Sequence, residues 1–300
     1  MEPIFSITDF MPSEAKCSKI FRKLRWADGI KCPRCNSEQV TNFCAYRKHL
    51  RRYRCKHCHR SFTDMTGTIF EDSNMELNEW FYITRELQRG MSINQISKEL
   101  GRGYRHVMNA AHKIMDSVFM RRLIELSGDD IEVDEMYQSA GEKGTKQIAR
   151  EPRKRGLKLR GRGTYAKDKP PIVAAVCRGG NAIAEVFTQL RKNNIDAFLY
   201  LVNGRAIFTD DYRIYDHLDN ADGILHESTN HSKKHYAECY KHSNTVEGMF
   251  CDLRTWLRTY KGVCKKNLHK FVSLFLFNYN HRELNPFDAF SALLSTTLVR

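Results

Sequence analysis

The chain has 300 residues, 41% of them hydrophobic, and carries a net charge of +14 at pH 7. This length predicts about two domains, each able to bury a core. The charge favours a polyanionic partner, which could be DNA, RNA or, least favoured, an anionic membrane surface. No apolar run reaches the roughly 18 residues of a membrane-spanning helix, and the first residues are not of signal-peptide type. We therefore expect an intracellular protein that binds no membrane, in the cytoplasm or nucleoid of a prokaryote or the nucleus of a eukaryote.

Residues 1–29 are predicted to contain one short helix, over residues 13–27. Ser13 suits the N-cap position, and Phe21 and Leu24 belong to an apolar set at helical spacing. An Asp-Gly pair follows and ends the helix.

Two CxxC pairs lie in residues 30–66, and 19 residues separate them. In an intracellular chain of this size, such pairs indicate a metal site rather than a disulfide framework. Four thiolates close a tetrahedral site, so we predict structural zinc in a zinc ribbon and no catalysis by this ion. A redox dithiol would require a βαβ setting, which the sequence does not indicate. The expected ligands are Cys32, Cys35, Cys55 and Cys58, with His49, His57 and His59 as less favoured substitutes.

Basic residues surround the second CxxC pair and alternate with the tyrosines Tyr46 and Tyr53. A surface of this kind suits contact with DNA phosphates. The alternative is a ribbon that only stabilises the fold and whose charges keep it in solution. The residues expected to bind DNA here are Arg51, Arg52 and Arg54.

Residues 67–125 are predicted to form a helical DNA-binding region. A helix over residues 76–89 precedes a shorter one that Ser92 can cap, and glycines at 101 and 103 permit a tight turn into another helix. Two helices joined in this way indicate a helix-turn-helix, whose second helix enters the major groove. The alternative is a packing element with a solvated face. The residues expected to bind DNA are Arg105, His106, Asn109 and Lys113.

Residues 128–300 change in character and predict an α/β domain. A strand, IEVDEMYQ, is followed after a basic insertion by a hairpin with Gly179 and Gly180 at its turn. Helices and strands then alternate, and two long helical segments follow, over about 245–260 and 266–280. This order predicts a mixed sheet flanked by helices.

The insertion, residues 141–170, has no apolar period and carries a strong positive charge. Residues 143–169 hold eleven Lys and Arg against two acids. Such runs are usually solvated, but contact with a DNA backbone is the favoured reading in a basic protein. The residues expected to bind DNA here are Arg153, Lys154, Arg155, Arg160 and Arg162.

Three acids have positions that suit a metal site. Asp134 lies in the first strand, Asp210 ends a later strand, and Glu247 lies near the start of a helix. Carboxylates placed like this can converge at one sheet edge and hold Mg²⁺ or Mn²⁺, and two such ions would serve phosphoryl transfer. Spacing alone leaves nearby acids open as competitors, namely Asp129, Asp130, Glu132, Glu135 and Asp211.

The chain resembles the Merlin-type DDE transposases and their insertion-sequence relatives with an N-terminal zinc ribbon, the ISXO2-like family. The motifs that carry this resemblance run over nearly the whole chain, in order: CPRC and CKHC, SFTDMTGTIFEDS, VDEMY, GRGT, TDDYRIY, HSNTVEGMFCDLRTWLRTYKGV and FLFNYNHR. The resemblance implies an RNase H-like catalytic fold whose acidic triad is Asp134, Asp210 and Glu247. It also implies supporting roles for Asn244, on the same helical face, and for Arg254, which would grip a DNA phosphate.

The activity that this resemblance implies is DNA transposition with two Mg²⁺ or Mn²⁺ ions. The protein would bind terminal inverted repeats, hydrolyse a phosphodiester at the transposon end, and join the freed 3′-OH to target DNA. A homodimer or higher oligomer is expected in the DNA complex, since two ends must meet. Two alternatives stay open: a domesticated DNA-binding protein without catalysis, and an RNase H-fold nuclease or resolvase without strand transfer.

Overall fold

The computed structural model describes residues 10–142, 161–210, 212–220, 225–229 and 243–298. Its contacts divide the chain into two compact units, one formed by residues up to Arg121 together with those from Leu284 onward, the other by Arg122–Glu283. In the described ranges, no helix is both long enough and apolar enough to cross a bilayer.

The first unit begins with a helix and a small sheet. Ser13 caps α1 by accepting a hydrogen bond from the Lys16 N–H at 3.3 Å, as its position in the sequence predicted. The three strands pair antiparallel in the order β1-β2-β3. The bounds are Glu14–Arg25 for α1, Val40–Tyr46 for β1, Leu50–Cys55 for β2 and Ser61–Thr63 for β3.

A buried carboxylate, Asp64, joins α1 to this sheet. It accepts hydrogen bonds from Trp26 Nε1 at 3.1 Å, from the Tyr53 hydroxyl at 2.9 Å and from the Arg51 N–H at 2.7 Å. Arg22 of α1 adds an ion pair at 3.2 Å. The charge is therefore fully satisfied, as a buried carboxylate requires.

Three helices follow in the same unit: Leu77–Gln88 (α2), Ile93–Glu99 (α3) and Tyr104–Met120 (α4). The predicted turn between α3 and α4 is present, and Gly101 adopts a φ of +60°, which a glycine accepts without strain. Ser92 caps α3 through the Gln95 N–H at 3.2 Å. The buried face of α4 includes Val107 and Ile114, and its polar residues Arg105 and Asn109 are exposed.

The second unit is built on a five-stranded mixed sheet. Its strands lie in the order β6-β5-β4-β7-β8. β5 pairs antiparallel with both β4 and β6, whereas β7 pairs parallel with both β4 and β8. Counted from the first strand this order is 3-2-1-4-5, the RNase H-like arrangement that the resemblance implied. The strands are Leu126–Tyr137 (β4), Pro171–Cys177 (β5), Ala182–Val186 (β6), Val202–Asp210 (β7) and Leu225–Thr229 (β8).

Helices cover both faces of this sheet. Ile195 and Phe198 of α5 and Tyr215 of a 3₁₀ helix pack with Ile131 and Val133 of β4. The helices α6 and α7 contact the sheet through β4, β5 and β6. The bounds are Lys192–Leu199 for α5, Arg213–Asn220 for the 3₁₀ helix, Asn244–Thr259 for α6 and Leu268–Asn280 for α7. The alternation of helices and strands expected from the sequence is present here, with the helix between β7 and β8 being a 3₁₀ helix.

The last helix, Pro286–Thr296 (α8), groups by its contacts with the first unit. It contacts α2 and α4, and the ring centroids of Phe81 and Phe290 lie 6.0 Å apart. The sequence carries a helix-start signal at this point. Asn285 accepts from two backbone N–H groups, and Pro286 occupies the first turn.

Candidate active site and metal centres

The four predicted cysteines meet at one point of the first unit. Their sulfurs all lie within 4.8 Å of one another. The Cys32–Cys58 and Cys35–Cys55 sulfur pairs are 3.7 and 3.6 Å apart. A tetrahedral zinc ion with Zn–S bonds of about 2.3 Å would put the sulfurs roughly 3.8 Å apart. The arrangement therefore fits a structural zinc ion, and the histidines suggested as substitutes are not needed.

Backbone geometry shapes both cysteine knuckles in the same way. The residue after each CxxC has a left-handed backbone conformation, with a φ of +58° at Asn36 and +57° at His59. The first cysteine of each pair donates its N–H to a carbonyl five residues on, at 2.9 Å for Cys32 and 3.0 Å for Cys55. The N–H groups of Cys58 and His57 lower the pKa of the Cys55 thiol to about 6, so a thiolate ligand forms readily.

In the second unit, strand register brings Asp134 and Asp210 together. β4 and β7 run parallel, and residues such as Glu132 and Phe208 pair with a constant offset of 76 positions. The same offset places Asp134 level with Asp210 on neighbouring strands. Carboxylate oxygens of Asp134, Glu135 and Asp210 all lie within 4.8 Å of one another. Two of the three predicted triad members are therefore neighbours.

Glu135 belongs to this group, although the sequence identified it only as a competitor of Asp134. Adjacent strand residues point to opposite faces of a sheet, and Glu135 accordingly lies on the face of Tyr215, whose hydroxyl donates to it at 3.3 Å. The signal available in the sequence was the Asp-Glu pair in the first strand, which spacing alone could not resolve.

The third predicted acid, Glu247, lies on α6. It is not among the three carboxylates within 4.8 Å, but its charge raises the pKa of Asp134. Arg254 lies two helical turns further along α6, and its charge lowers the same pKa. Asn244, the first residue of α6, is exposed. Glu247 and Arg254 thus act electrostatically on the site from one helix.

Electrostatic repulsion within the site favours a cation. Burial, followed by the charges of Asp210 and Glu247, raises the pKa of Asp134 to about 7. Burial and the charges of Asp210 and Asp134 raise the pKa of Glu135 to about 8. Oxygen ligands that repel one another suit a hard divalent ion, which would restore their ionised state. The donor set therefore fits Mg²⁺ or Mn²⁺.

The residues predicted to bind DNA fall on three separate segments. On the ribbon, Arg51 and Arg54 are exposed, and the Arg52 guanidinium lies 5.2 Å from the Tyr46 ring centroid. On α4, the four predicted residues, Arg105, His106, Asn109 and Lys113, are all exposed. In the second unit, the Arg162 guanidinium lies 3.4 Å from the Tyr212 ring centroid, and its charge lowers the pKa of Glu135. The remaining four, Arg153, Lys154, Arg155 and Arg160, lie outside the described residues.

The profile described as "ISXO2-like transposase domain" matches residues 125–280, and the profile "Transposase zinc-ribbon domain" matches residues 12–61. A protein of Halobacterium salinarum, named "Uncharacterized protein in transposable element ISH50", is 32% identical over 293 residues. That match covers 95% of this chain and 97% of the relative.

Two solved structures are similar over 70% of this chain. "Crystal structure of a pre-cleavage Mos1 transpososome" has 10% identity, a TM-score of 0.24 and 77% of that chain covered. "Crystal structure of the Mos1 Strand Transfer Complex" has 9% identity, a TM-score of 0.25 and 76% covered. These scores are too low to support a conclusion, whereas the family profile matches more than half of the chain. By that match and by its full-length relative, the chain belongs to the ISXO2-like transposase family.

Proposed function

We propose that this member of the family is an active DDE transposase that cuts and joins DNA with two divalent metal ions. The observation that carries the proposal is the meeting of Asp134 and Asp210 at the same level of two neighbouring parallel strands, with the charge of Glu247 on α6 acting on Asp134. Three carboxylates on these elements would supply the donor set that the resemblance implies.

Asp134, Asp210 and Glu247 would hold the ions, and Glu135 is close enough to contribute an oxygen. Ions bound there supply Lewis-acid stabilisation of charge on the attacking and leaving oxygens of a phosphodiester. Arg254 would hold a DNA phosphate beside the carboxylates. Phe250 of α6 is buried in the core, so it supports the helix rather than the chemistry.

The proposed reaction has two phosphoryl transfers. Water attacks a phosphodiester at the transposon end, the P–O bond to the 3′ oxygen breaks, and a 3′-OH and a 5′-phosphate result. That 3′-OH then attacks a phosphodiester of the target DNA, a new P–O bond forms, and the target's own 3′ oxygen leaves. Each step exchanges one P–O bond for another, so no oxidant, reductant or energy source is required.

The first unit would recognise the terminal inverted repeats. Its exposed Arg105, His106 and Asn109 occupy the start of α4, the part of a recognition helix that meets base edges. Arg51 and Arg54 on the ribbon and the basic residues of 143–169 would contact phosphates. The protein would act inside the cell as a homodimer or larger assembly on two transposon ends.

The test is a cleavage assay on the inverted repeats that flank the gene, with Mg²⁺ and end-labelled DNA. We expect Asp134→Ala, Asp210→Ala and Glu247→Ala each to abolish cleavage and to leave end binding intact. Retained cleavage in any one variant would show that the wrong acid was chosen. Binding without cleavage by the wild type would favour a domesticated DNA-binding protein, and cleaved products without joined ones would favour a nuclease or resolvase.

A further inference from the structure

One buried carboxylate near the acidic site is already fully engaged. Glu132 lies two residues before Asp134 on β4 and so points to the same face of the sheet. Its side chain is 0% exposed. An ionised carboxylate at such a position is tolerated only when its oxygens find strong partners.

The partners of Glu132 come mainly from the first turn of α6. Its Oε2 accepts the N–H groups of Thr245 at 2.7 Å and Val246 at 3.0 Å. Its Oε1 accepts the Thr245 hydroxyl at 3.0 Å and Arg178 Nε at 2.8 Å. Both carboxylate oxygens are thus occupied by hydrogen bonds. Glu132, which spacing alone left open as a metal ligand, is therefore not placed to bind a metal ion.

These contacts make Glu132 an N-cap supplied by another element. Ser243 occupies the N-cap position of α6, and its hydroxyl points toward Glu247 Oε1 at 3.5 Å rather than capping the helix. The first N–H groups of a helix need acceptors, and a negative charge there is favoured by the helix dipole. Glu132 supplies both the acceptor oxygens and the negative charge, although it lies 113 residues before Thr245 in the chain.

Arg178, in the turn that follows β5, is the remaining partner of Glu132. Besides its bond to Glu132, its guanidinium lies 3.7 Å from Asp130 and 4.0 Å from the ring centroid of Phe208 on β7. The cation therefore neutralises the buried charge and is itself held between strands. The four hydrogen bonds to its two oxygens leave the Glu132 carboxylate little freedom to move.

The consequence concerns the distance between the first and third acids of the triad. Only Val133 separates Glu132 from Asp134 on β4, and Glu247 directly follows Val246 on α6. Because strand and helix are rigid over such short spans, the bonds of Glu132 determine where Glu247 stands relative to Asp134. We propose that Glu132 is a positioning residue that holds α6 in the register required for metal binding, an inference that rests on the proposed function.

The main test is Glu132→Gln, which keeps the shape of the side chain. A carboxamide offers one acceptor oxygen, and its NH₂ group must face either the α6 N–H groups or the Arg178 guanidinium, so part of the cap is lost. We expect the Mg²⁺ concentration for half-maximal cleavage to rise about 10-fold, in the range found when residues supporting metal ligands are changed. Cleavage at saturating Mg²⁺ should stay within a few-fold of wild type.

A second readout does not depend on activity. Titration calorimetry with Mn²⁺, without DNA, should give a similar loss of affinity in Glu132→Gln. The matched control is Asp168→Asn, which weakens another buried carboxylate of the same unit, 3.0 Å from Lys265 Nζ. This control should lower thermal stability but leave the Mn²⁺ affinity unchanged, which separates positioning from general destabilisation.

Thr245→Val provides a milder variant should Glu132→Gln fail to fold. It removes only the hydroxyl bond to Glu132, and we expect a shift of about two- to threefold in the same direction. Unchanged metal affinity and unchanged half-maximal Mg²⁺ in the folded variants would overturn the inference. Loss of cleavage in Asp134→Ala and Glu247→Ala would then still stand, so the two proposals fail separately.

Discussion

Buried acids in this protein fall into two groups according to their partners. Asp64 and Glu132 are surrounded by N–H, hydroxyl and guanidinium donors. Asp134 and Glu135 have fewer donors, and burial together with the charges of neighbouring carboxylates raises the pKa of each. The first arrangement stabilises a fold, whereas the second leaves repulsion that a cation can relieve.

The first prediction concerns the stabilising role of Asp64. Asp64→Ala leaves the donors of Arg22, Trp26 and Tyr53 without their acceptor, and we expect a loss of about 3 kcal/mol in the free energy of unfolding. Urea denaturation of the zinc-loaded chain measures this. The control is Glu38→Ala, which removes an exposed ion pair with Lys31 and should cost less than about 1 kcal/mol. Equal losses would contradict the special role of Asp64.

The second prediction concerns Asp134 and pH. The folded chain holds the proton of Asp134 up to a pKa of about 7, against an ordinary value of 3.8. Stability without metal should therefore fall as pH rises between these values, because ionisation is opposed only in the folded state. Asp134→Asn removes this cost, and we expect it to stabilise the metal-free protein at pH 8 by on the order of 1–3 kcal/mol.

The measurement is thermal unfolding at pH 5 and pH 8, with and without Mg²⁺. The advantage of Asp134→Asn over wild type should be larger at pH 8 than at pH 5, and Mg²⁺ should stabilise only the wild type. If Asp134→Asn is no more stable than wild type at pH 8, then burial and neighbouring carboxylates do not oppose the ionisation of Asp134 in the folded chain.

At the scale of secondary-structure elements, sequence patterns predicted most of the strands and helices but not all of their partners. CxxC spacing predicted the zinc site because four ligands on two knuckles lie close along the chain. The meeting of Asp134 and Asp210 depends on the parallel pairing of β4 with β7, which the resemblance implied and no local pattern could give. Glu132 was identified only as a competitor of Asp134, because its partners on α6 lie 113 residues away in the chain. The partners of α8 are also distant in the chain, although its start has a local sequence signal.

The third prediction concerns the zinc ribbon as an element. Its described core is small and centred on Tyr53, Phe62 and the cysteines, so metal binding must provide much of its folding free energy. Cys55→Ser should lose the zinc ion, leave the ribbon susceptible to proteolysis and reduce binding to terminal-repeat DNA. Cys44→Ser, an exposed cysteine outside the four, is the control and should retain zinc.

Zinc content by mass spectrometry and limited proteolysis of both variants measure this effect. The titration of the Cys55→Ser variant with Mn²⁺ adds an internal check, since the acidic site belongs to the other unit. We expect its Mn²⁺ affinity to equal that of wild type. A ribbon that resists proteolysis after losing zinc would contradict the proposed dependence.

At the scale of the whole molecule, the chain has a net charge of +14 but also contains a cluster of mutually repelling carboxylates, Asp134, Glu135 and Asp210. The charge attracts any polyanion regardless of its sequence, and its effect weakens with salt. Recognition of one DNA sequence requires side chains that reach base edges. On α4 these two kinds of side chain lie side by side, with Arg105 and Asn109 one turn apart and both exposed.

The fourth prediction separates these two contributions. If Arg105 contacts a phosphate, Arg105→Ala should lower affinity for any duplex and reduce the slope of log K against log salt by about 1. If Asn109 reads a base, Asn109→Ala should weaken binding to terminal-repeat DNA about 10-fold, with no change in that slope and little effect on random DNA. Lys192→Ala, an exposed charge on α5 over the sheet face opposite Asp134, serves as the control and should change neither quantity. Fluorescence anisotropy at several salt concentrations distinguishes the cases, and equal losses for Asn109→Ala on both DNAs would rule out base reading by α4.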